Sequence, residues 1–153
     1  MSTNLNFTNI RLSRELSKLQ SDSDKLEGII IETPTDLMIW HAKIKGPTNS
    51  PFENGVFDIE LKFDTDYPIK PPSVKFLTQM YHPNIYRDGK ICIDILQSEW
   101  TPAQNIRTIL LSIISLLMDP NTSSPANRDA AILYNSDITA YEQKVKNIIN
   151  LNK

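Results

Sequence analysis

Apolar positions recur along this chain with two periods, and the switches between them outline its elements. Leu12, Leu16 and Leu19 lie at helical spacing and predict an amphipathic first helix over about Thr8 to Leu19. The period then drops to two. Phe57, Ile59, Leu61 and Phe63 alternate with Asp58, Glu60 and Lys62, which predicts a half-buried strand from Val56 to Phe63. Leu37 to Ile44 puts Trp40, Ala42 and Ile44 on one face and His41 on the other, toward solvent. The β-branched run Ile29-Ile30-Ile31 predicts a strand within Leu26 to Glu32, and Ser73 to Leu77 a short one with Val74 and Phe76 inward. Each gap between these runs carries turn chemistry: Thr33-Pro34-Thr35-Asp36, Gly46-Pro47 through Ser50-Pro51, and Tyr67-Pro68 through Pro71-Pro72. Gaps this short suit consecutive antiparallel strands, so a four-stranded meander is expected, partly covered by the first helix.

From Thr78 to about Gln104 neither period holds, and the breakers His82-Pro83, Asp88-Gly89 and Thr101-Pro102 follow one another. A loop of that length inside a compact domain is uncommon and usually functional. Beyond it, Ile109 to Met118 is apolar nearly all round and predicts a buried central helix, ended by Asp119-Pro120-Asn121. Two more helices are expected, one over Asn127 to Tyr134 and one capped by Asn135-Ser136-Asp137, with Ile138, Tyr141, Val145 and Ile148 as its apolar stripe. Helix, four strands, long loop, helices is an α+β order.

Composition narrows the function. The chain has 153 residues, 40% apolar and 22% charged, enough for one domain, 1–153, with a real core and no need of disulfides. Sixteen basic and eighteen acidic residues give a net charge of −2, which argues against a protein built to hold nucleic acid or an anionic membrane. The single cysteine, Cys92, excludes an internal disulfide, and with only two histidines it excludes a cysteine-rich zinc site. Met1-Ser2-Thr3-Asn4 lacks the pattern of a secretory signal, and the expectation is a soluble, intracellular protein with a reduced thiol.

Cys92 lies in the middle of the irregular segment. Flanked by Ile91 and Ile93 it reads as a small core residue; eight positions after Asn84 and two before Asp94 it reads as a nucleophile among polar groups. A protease-like mechanism needs a histidine base. His41 faces solvent from a strand, and His82, before a proline, suits tying the loop together. A thioester carrier needs no such base: its thiol accepts an acyl group from one thioester and passes it to an amine. Asn84 either donates to the oxyanion of that transfer or ties the loop. Arg11, Arg14 and Lys18 share one face of the first helix, as a solvated surface or as a dock for an acidic partner.

The segment Tyr81-His82-Pro83-Asn84-Ile85-Tyr86, then Gly89-Lys90-Ile91-Cys92-Ile93-Asp94-Ile95-Leu96 and Trp100-Thr101-Pro102, closely resembles the core of the ubiquitin-conjugating enzymes. Gly46-Pro47, Ser50-Pro51-Phe52, Gly55-Val56-Phe57, Tyr67-Pro68-x-Lys70-Pro71-Pro72, Ile109 to Ile113 and Asp119-Pro120-Asn121 extend the likeness over essentially the whole chain. The resemblance implies that Cys92 carries the ubiquitin C-terminus as a thioester, that Asn84 steadies the oxyanion or its loop, that His82 and Pro83 shape that loop, and that Asp94 orients the incoming lysine. Ser124 stands at the active-site gate where many members carry an acidic residue, which implies weak unassisted discharge to lysine. Arg11, Arg14 and Lys18 match the family's contact with its activating enzyme. Pro68, Ile69, Thr101, Pro102 and Ala103 match the loops that meet RING-type ligases, although Ile69 is not the aromatic residue some ligases prefer. Trp100 is expected to pack under its loop.

The same resemblance implies no bound cofactor, ATP being used by the upstream activating enzyme. It implies ubiquitin, bound covalently and noncovalently, the activating enzyme, ligases and substrate proteins as partners, and residence in cytoplasm and nucleus. Ser124-Pro125-Ala126-Asn127, Ala130-Ala131, Leu133-Tyr134, Phe76-Leu77-x-x-Met80 and Ile95-Leu96-Gln97 look most like the DNA-damage-tolerance, histone-ubiquitylating branch. Two other readings are a non-catalytic adaptor of the same fold and a carrier of a ubiquitin-like modifier.

Overall fold

A computed structural model describes residues 2–152, with side chains from Phe7 onward. Helix α1 (Ser2–Ser21) leads, by way of a 3-10 turn at Ser23–Lys25, into strands β1 (Ile29–Ile31), β2 (Ile39–Lys45), β3 (Val56–Lys62) and β4 (Ser73–Phe76). Helices α2 (Ile106–Met118), α3 (Arg128–Ser136) and α4 (Ile138–Leu151) close the chain. The strands form one sheet in the order β1-β2-β3-β4, every neighbour antiparallel. This is the expected meander, and the architecture is α+β.

Alternation in β2 and β3 sorts side chains as the pattern requires. Trp40, Ala42, Ile44, Phe57, Ile59 and Leu61 are buried, and Ile59 pairs with both Ala42 and Phe76 across its neighbours. His41 takes the opposite face and lies 3.2 Å from Glu60, its direct cross-strand partner. The first strand is shorter than expected: Leu26 closes the 3-10 turn, and Gly28 sits at a φ of +80°, which turns the chain before pairing begins. Helix α1 begins at Ser2, ahead of its apolar stripe. Leu12 and Leu19 are buried on it, and the Thr8 hydroxyl donates to the Tyr67 carbonyl at 2.9 Å.

Three expectations about α2 and α4 change. Helix α2 starts three residues earlier than the apolar run, because Asn105 and Thr108 form a reciprocal capping box. It is also not buried all round: Ile106, Ile109, Leu110, Ile113 and Leu117 enter the core, whereas Leu111 and Met118 are 46% and 52% exposed. In α4 the buried stripe is Tyr141, Val145 and Ile149, with Ile148 at its edge and Ile138 exposed. Inner sheet face, α1, α2 and α4 all contribute to one hydrophobic cluster.

Candidate active site

The segment after β4 lacks hydrophobic period but not structure. Gly89 has a φ of +94°, and a Cβ there would meet the Phe76 carbonyl oxygen at 2.0 Å, so only glycine lets this turn lie on β4. The Phe76 N–H donates to the Gly89 carbonyl at 2.8 Å. The Tyr86 N–H donates to Lys90, Ile85 pairs with Ile91, and the Cys92 N–H donates to the Asn84 carbonyl at 2.8 Å. The result is a small hairpin with Asn84 and Cys92 facing each other across its open end. Tyr81, Ile85 and Ile91 root it in the core. The expected loop is therefore a built element, held by hydrogen bonds that no hydrophobic pattern announces.

His82 is fully buried. Its Nε2 lies 2.7 Å from the Leu116 carbonyl, which can only accept, so Nε2 carries the proton. Its Nδ1 accepts the Asn84 N–H at 2.9 Å. Both ring nitrogens are spent on the backbone. Burial pulls the imidazole down to about 4, only partly opposed by the Leu116 hydrogen bond, so the ring is neutral and structural rather than a base.

Asn84 is 2% exposed. Its Nδ2 donates to the Asn121 carbonyl at 2.7 Å and its Oδ1 accepts the Asn121 N–H at 2.8 Å, a two-bond clasp on the backbone that follows α2. Pro83 adds its carbonyl, which accepts the N–H groups of Ala126 at 2.8 Å and Asn127 at 2.9 Å. His82-Pro83-Asn84 thus binds the end of α2 and the 121–127 loop to the hairpin that holds Cys92. Of the two roles open to Asn84, tying the loop is the one its side chain performs in this arrangement.

Cys92 is partly exposed, not sealed in the core. The chain then enters a 3-10 turn, Asp94–Leu96, whose first residue is exposed. At its far side the Gln97 Nε2 lies 3.9 Å from the Cys92 Sγ. Ser124 is exposed in the clasped loop between Asn121 and Ala126. Among the described residues no cluster of three His, Cys, Asp or Glu side chains could hold a metal ion.

Away from the thiol, the predicted docking residues divide. Arg14 and Lys18 are exposed on α1, but Arg11 is not a free surface cation. Its Nε bonds Glu15 at 2.8 Å, and its guanidinium donates to the carbonyls of Pro102 at 3.0 Å and Gln104 at 2.7 Å while lying over the Tyr67 ring. The Trp100 indole N–H donates to the Pro68 carbonyl at 3.0 Å, which places Trp100 under its loop as expected. Arg11 and Trp100 so draw α1, the Pro68 loop and the 101–103 loop together. Ile69 is 72% exposed there, and Thr101, Pro102 and Ala103 are exposed beside it.

A family model described as ubiquitin-conjugating enzyme matches residues 11–149. The chain belongs to the ubiquitin-conjugating enzyme family. A protein of Yarrowia lipolytica named ubiquitin-conjugating enzyme E2 2 is 45% identical over 140 residues, covering 91% of each chain. Proteins of the same name are 49% identical in Mycosarcoma maydis, over 89% of this chain and 73% of that one, and 44% identical in Saccharomyces cerevisiae, over 91% and 80%. This chain is accordingly an enzyme that accepts ubiquitin as a thioester and transfers it.

Three residues that matter to this conjugating enzyme's architecture had escaped assignment. Asn121 stands in a run of turn formers and gives no sign of a partner 37 positions away. Gln97 is one polar residue among several. Glu15 was legible in part, since it lies four residues after Arg11 on one helix face.

Proposed function

We propose that Cys92 is the residue that holds ubiquitin, and that Asn84, Asp94 and Ser124 serve the transfer around it. The observation that carries this reading is a single cysteine, partly exposed, on a hairpin limb fixed against Asn84. In loading, the Cys92 thiolate attacks the carbonyl carbon of the thioester on the activating enzyme, a new C–S bond forms, and the donor thiolate leaves. In discharge, a substrate amine attacks the same carbonyl. Asp94, exposed two residues past the sulfur, attracts and orients the lysine ammonium, which loses a proton before it attacks. Asn84 holds the loop geometry through Asn121, and its uncommitted N–H is available to the oxyanion if the clasp shifts. Ser124 supplies no carboxylate at the gate, so discharge depends on a ligase.

Arg14 and Lys18 receive the activating enzyme, with Arg11 bracing the helix behind them. Pro68, Ile69, Thr101, Pro102 and Ala103 form the ligase dock of RING type. ATP is consumed upstream by the activating enzyme, and no cofactor is needed here. The motif likeness around Ser124 and Gln97 supports membership of the DNA-damage-tolerance branch, with residence in cytoplasm and nucleus. Charging the protein with a panel of activating enzymes tests the reading. The ubiquitin pair should yield an adduct that thiols release, and pairs for ubiquitin-like modifiers should yield none. An adduct formed with a ubiquitin-like modifier alone would overturn the choice of cargo.

A further inference from the structure

The reaction proposed above needs the Cys92 sulfur as an anion twice, once when it attacks and once when it leaves. A partly exposed anion is stabilised by an N–H donor aimed at it, so the donors near the sulfur decide what holds that charge. The Cys92 N–H itself is spent on the Asn84 carbonyl at 2.8 Å. The Asn84 carboxamide is buried and clasped to Asn121 through its oxygen and one N–H, and among the described residues its second N–H makes no hydrogen bond to the sulfur. The one ring N–H of His82 goes to Leu116. Asp94 and Ser124 bring a carboxylate and a hydroxyl, and among the described residues neither has a hydrogen bond to the sulfur. That leaves Gln97, whose Nε2 lies 3.9 Å from Sγ and is the side-chain donor within reach of it among the described residues. Its backbone is fixed by the 3-10 turn, where the Gln97 N–H donates to the Asp94 carbonyl at 3.0 Å.

We propose that the Gln97 carboxamide is the hydrogen-bond donor to the reacting sulfur, steadying the thiolate both in loading and in discharge. The inference rests on Cys92 as the carrier. When the lysine nitrogen attacks the thioester carbonyl, the N–C bond forms, the C–Sγ bond breaks, the electron pair passes to Sγ and the amine proton leaves to solvent. Gln97 transfers no proton; its N–H partly accommodates the pair arriving on sulfur. A neutral donor suits this position better than a cation, because a lysine or arginine there would repel the incoming ammonium. The exposure of Gln97 removes packing as its reason for being there.

The test uses the full chain, uncharged, and exploits its single cysteine: the rate of alkylation by iodoacetamide, read by mass, reports Cys92 alone. Gln97→Met keeps the length of the side chain and removes the donor; Gln97→Lys restores a donor. Between about pH 6 and 10, the Gln97→Met profile should move alkaline by about half to one pH unit, and alkylation at neutral pH should slow roughly three- to tenfold. Gln97→Lys should lie at or below the wild-type midpoint. Loading and discharge of Gln97→Met, followed in single turnover, should slow by a similar factor with an unchanged thermal midpoint. Coincident wild-type and Gln97→Met profiles would overturn the proposal, as would a Gln97→Lys profile that tracks Gln97→Met. A shifted alkylation profile with unchanged transfer would overturn the role in the reaction. Failure of the wild-type protein to charge at all would instead strike the carrier assignment, which alkylation does not touch.

Discussion

Asn84 is the residue whose role the geometry defines most sharply. A carboxamide that both gives and takes one hydrogen bond from the same backbone unit cannot be replaced by any other small side chain. Asn84→Asp keeps the acceptor for the Asn121 N–H but sets a carboxylate against the Asn121 carbonyl; Asn84→Ala leaves both backbone groups unpaired. Each should cost about 1–3 kcal/mol in urea unfolding, with Asp no better than Ala, and each should slow discharge more than loading. A full-stability Asn84→Ala protein would remove the clasp from the account. His82 makes a prediction about pH. The folded ring titrates near 4, against about 6.5 in the unfolded chain, so between these values the unfolded state binds the extra proton. This contribution to stability is complete above about pH 6.5 and drains away as pH falls toward 4, to a total of about 3 kcal/mol. Denaturation midpoints recorded from neutral to about pH 4 should fall over that window. A flat profile there would mean that His82 is not held neutral.

At the scale of elements, α1, the 101–104 loop and the start of α2 meet at Glu15. Its Oε1 accepts the Ile106 N–H at 2.8 Å, and its Oε2 takes both the Arg11 guanidinium and the Tyr67 hydroxyl. Burial, and then the Glu15 carboxylate, push the Tyr67 hydroxyl above its ordinary range, so it stays a donor throughout. Removing Glu15 strands three donors at once, whereas removing Arg11 loosens carbonyls that can turn to water. Glu15→Ala should therefore cost at least about 2 kcal/mol, more than Arg11→Ala, and the two should couple in a double-mutant cycle. Additive effects would mean the knot is not one unit. Because Arg11 braces the loops as well as the helix, Arg11→Ala should also weaken ligase-stimulated discharge, whereas Arg14→Ala should affect loading alone.

Across the whole molecule, what the chain disclosed depended on whether an element shows in the spacing of its apolar residues. The meander was legible because alternation at Phe57, Ile59 and Leu61 reports a face of the sheet directly, and the short Pro-rich gaps force antiparallel neighbours. The first turn of α2 was missed because its start is a polar capping box, outside the apolar run that marked the helix. Leu111 and Met118 misled for the opposite reason: apolarity permits burial without requiring it, and here the core ends before it reaches them. The hairpin around Cys92 was opaque to periodicity, since it is closed by backbone hydrogen bonds from Tyr86 to Lys90 and from Cys92 to Asn84 and tied to the end of α2 by the Asn84–Asn121 and Pro83–Ala126 pairs, none of which shows in the spacing of apolar residues. Motif likeness supplied the candidate site residues where pattern could not. It placed Arg11 on the docking face, and the contacts with Glu15, Pro102 and Gln104 move it to a bracing role.

Whether the Cys92 sulfur alone carries the cargo is decided by a side-by-side charging reaction. Wild type, Cys92→Ala and Cys92→Ser are each incubated with activating enzyme, ubiquitin and ATP, then split between reducing and non-reducing gels. Wild type should show an adduct that reductant removes, Cys92→Ser one that survives reductant but not mild alkali, as an oxyester does, and Cys92→Ala none. A reductant-sensitive adduct on Cys92→Ala, or no adduct on folded wild type, would contradict the account.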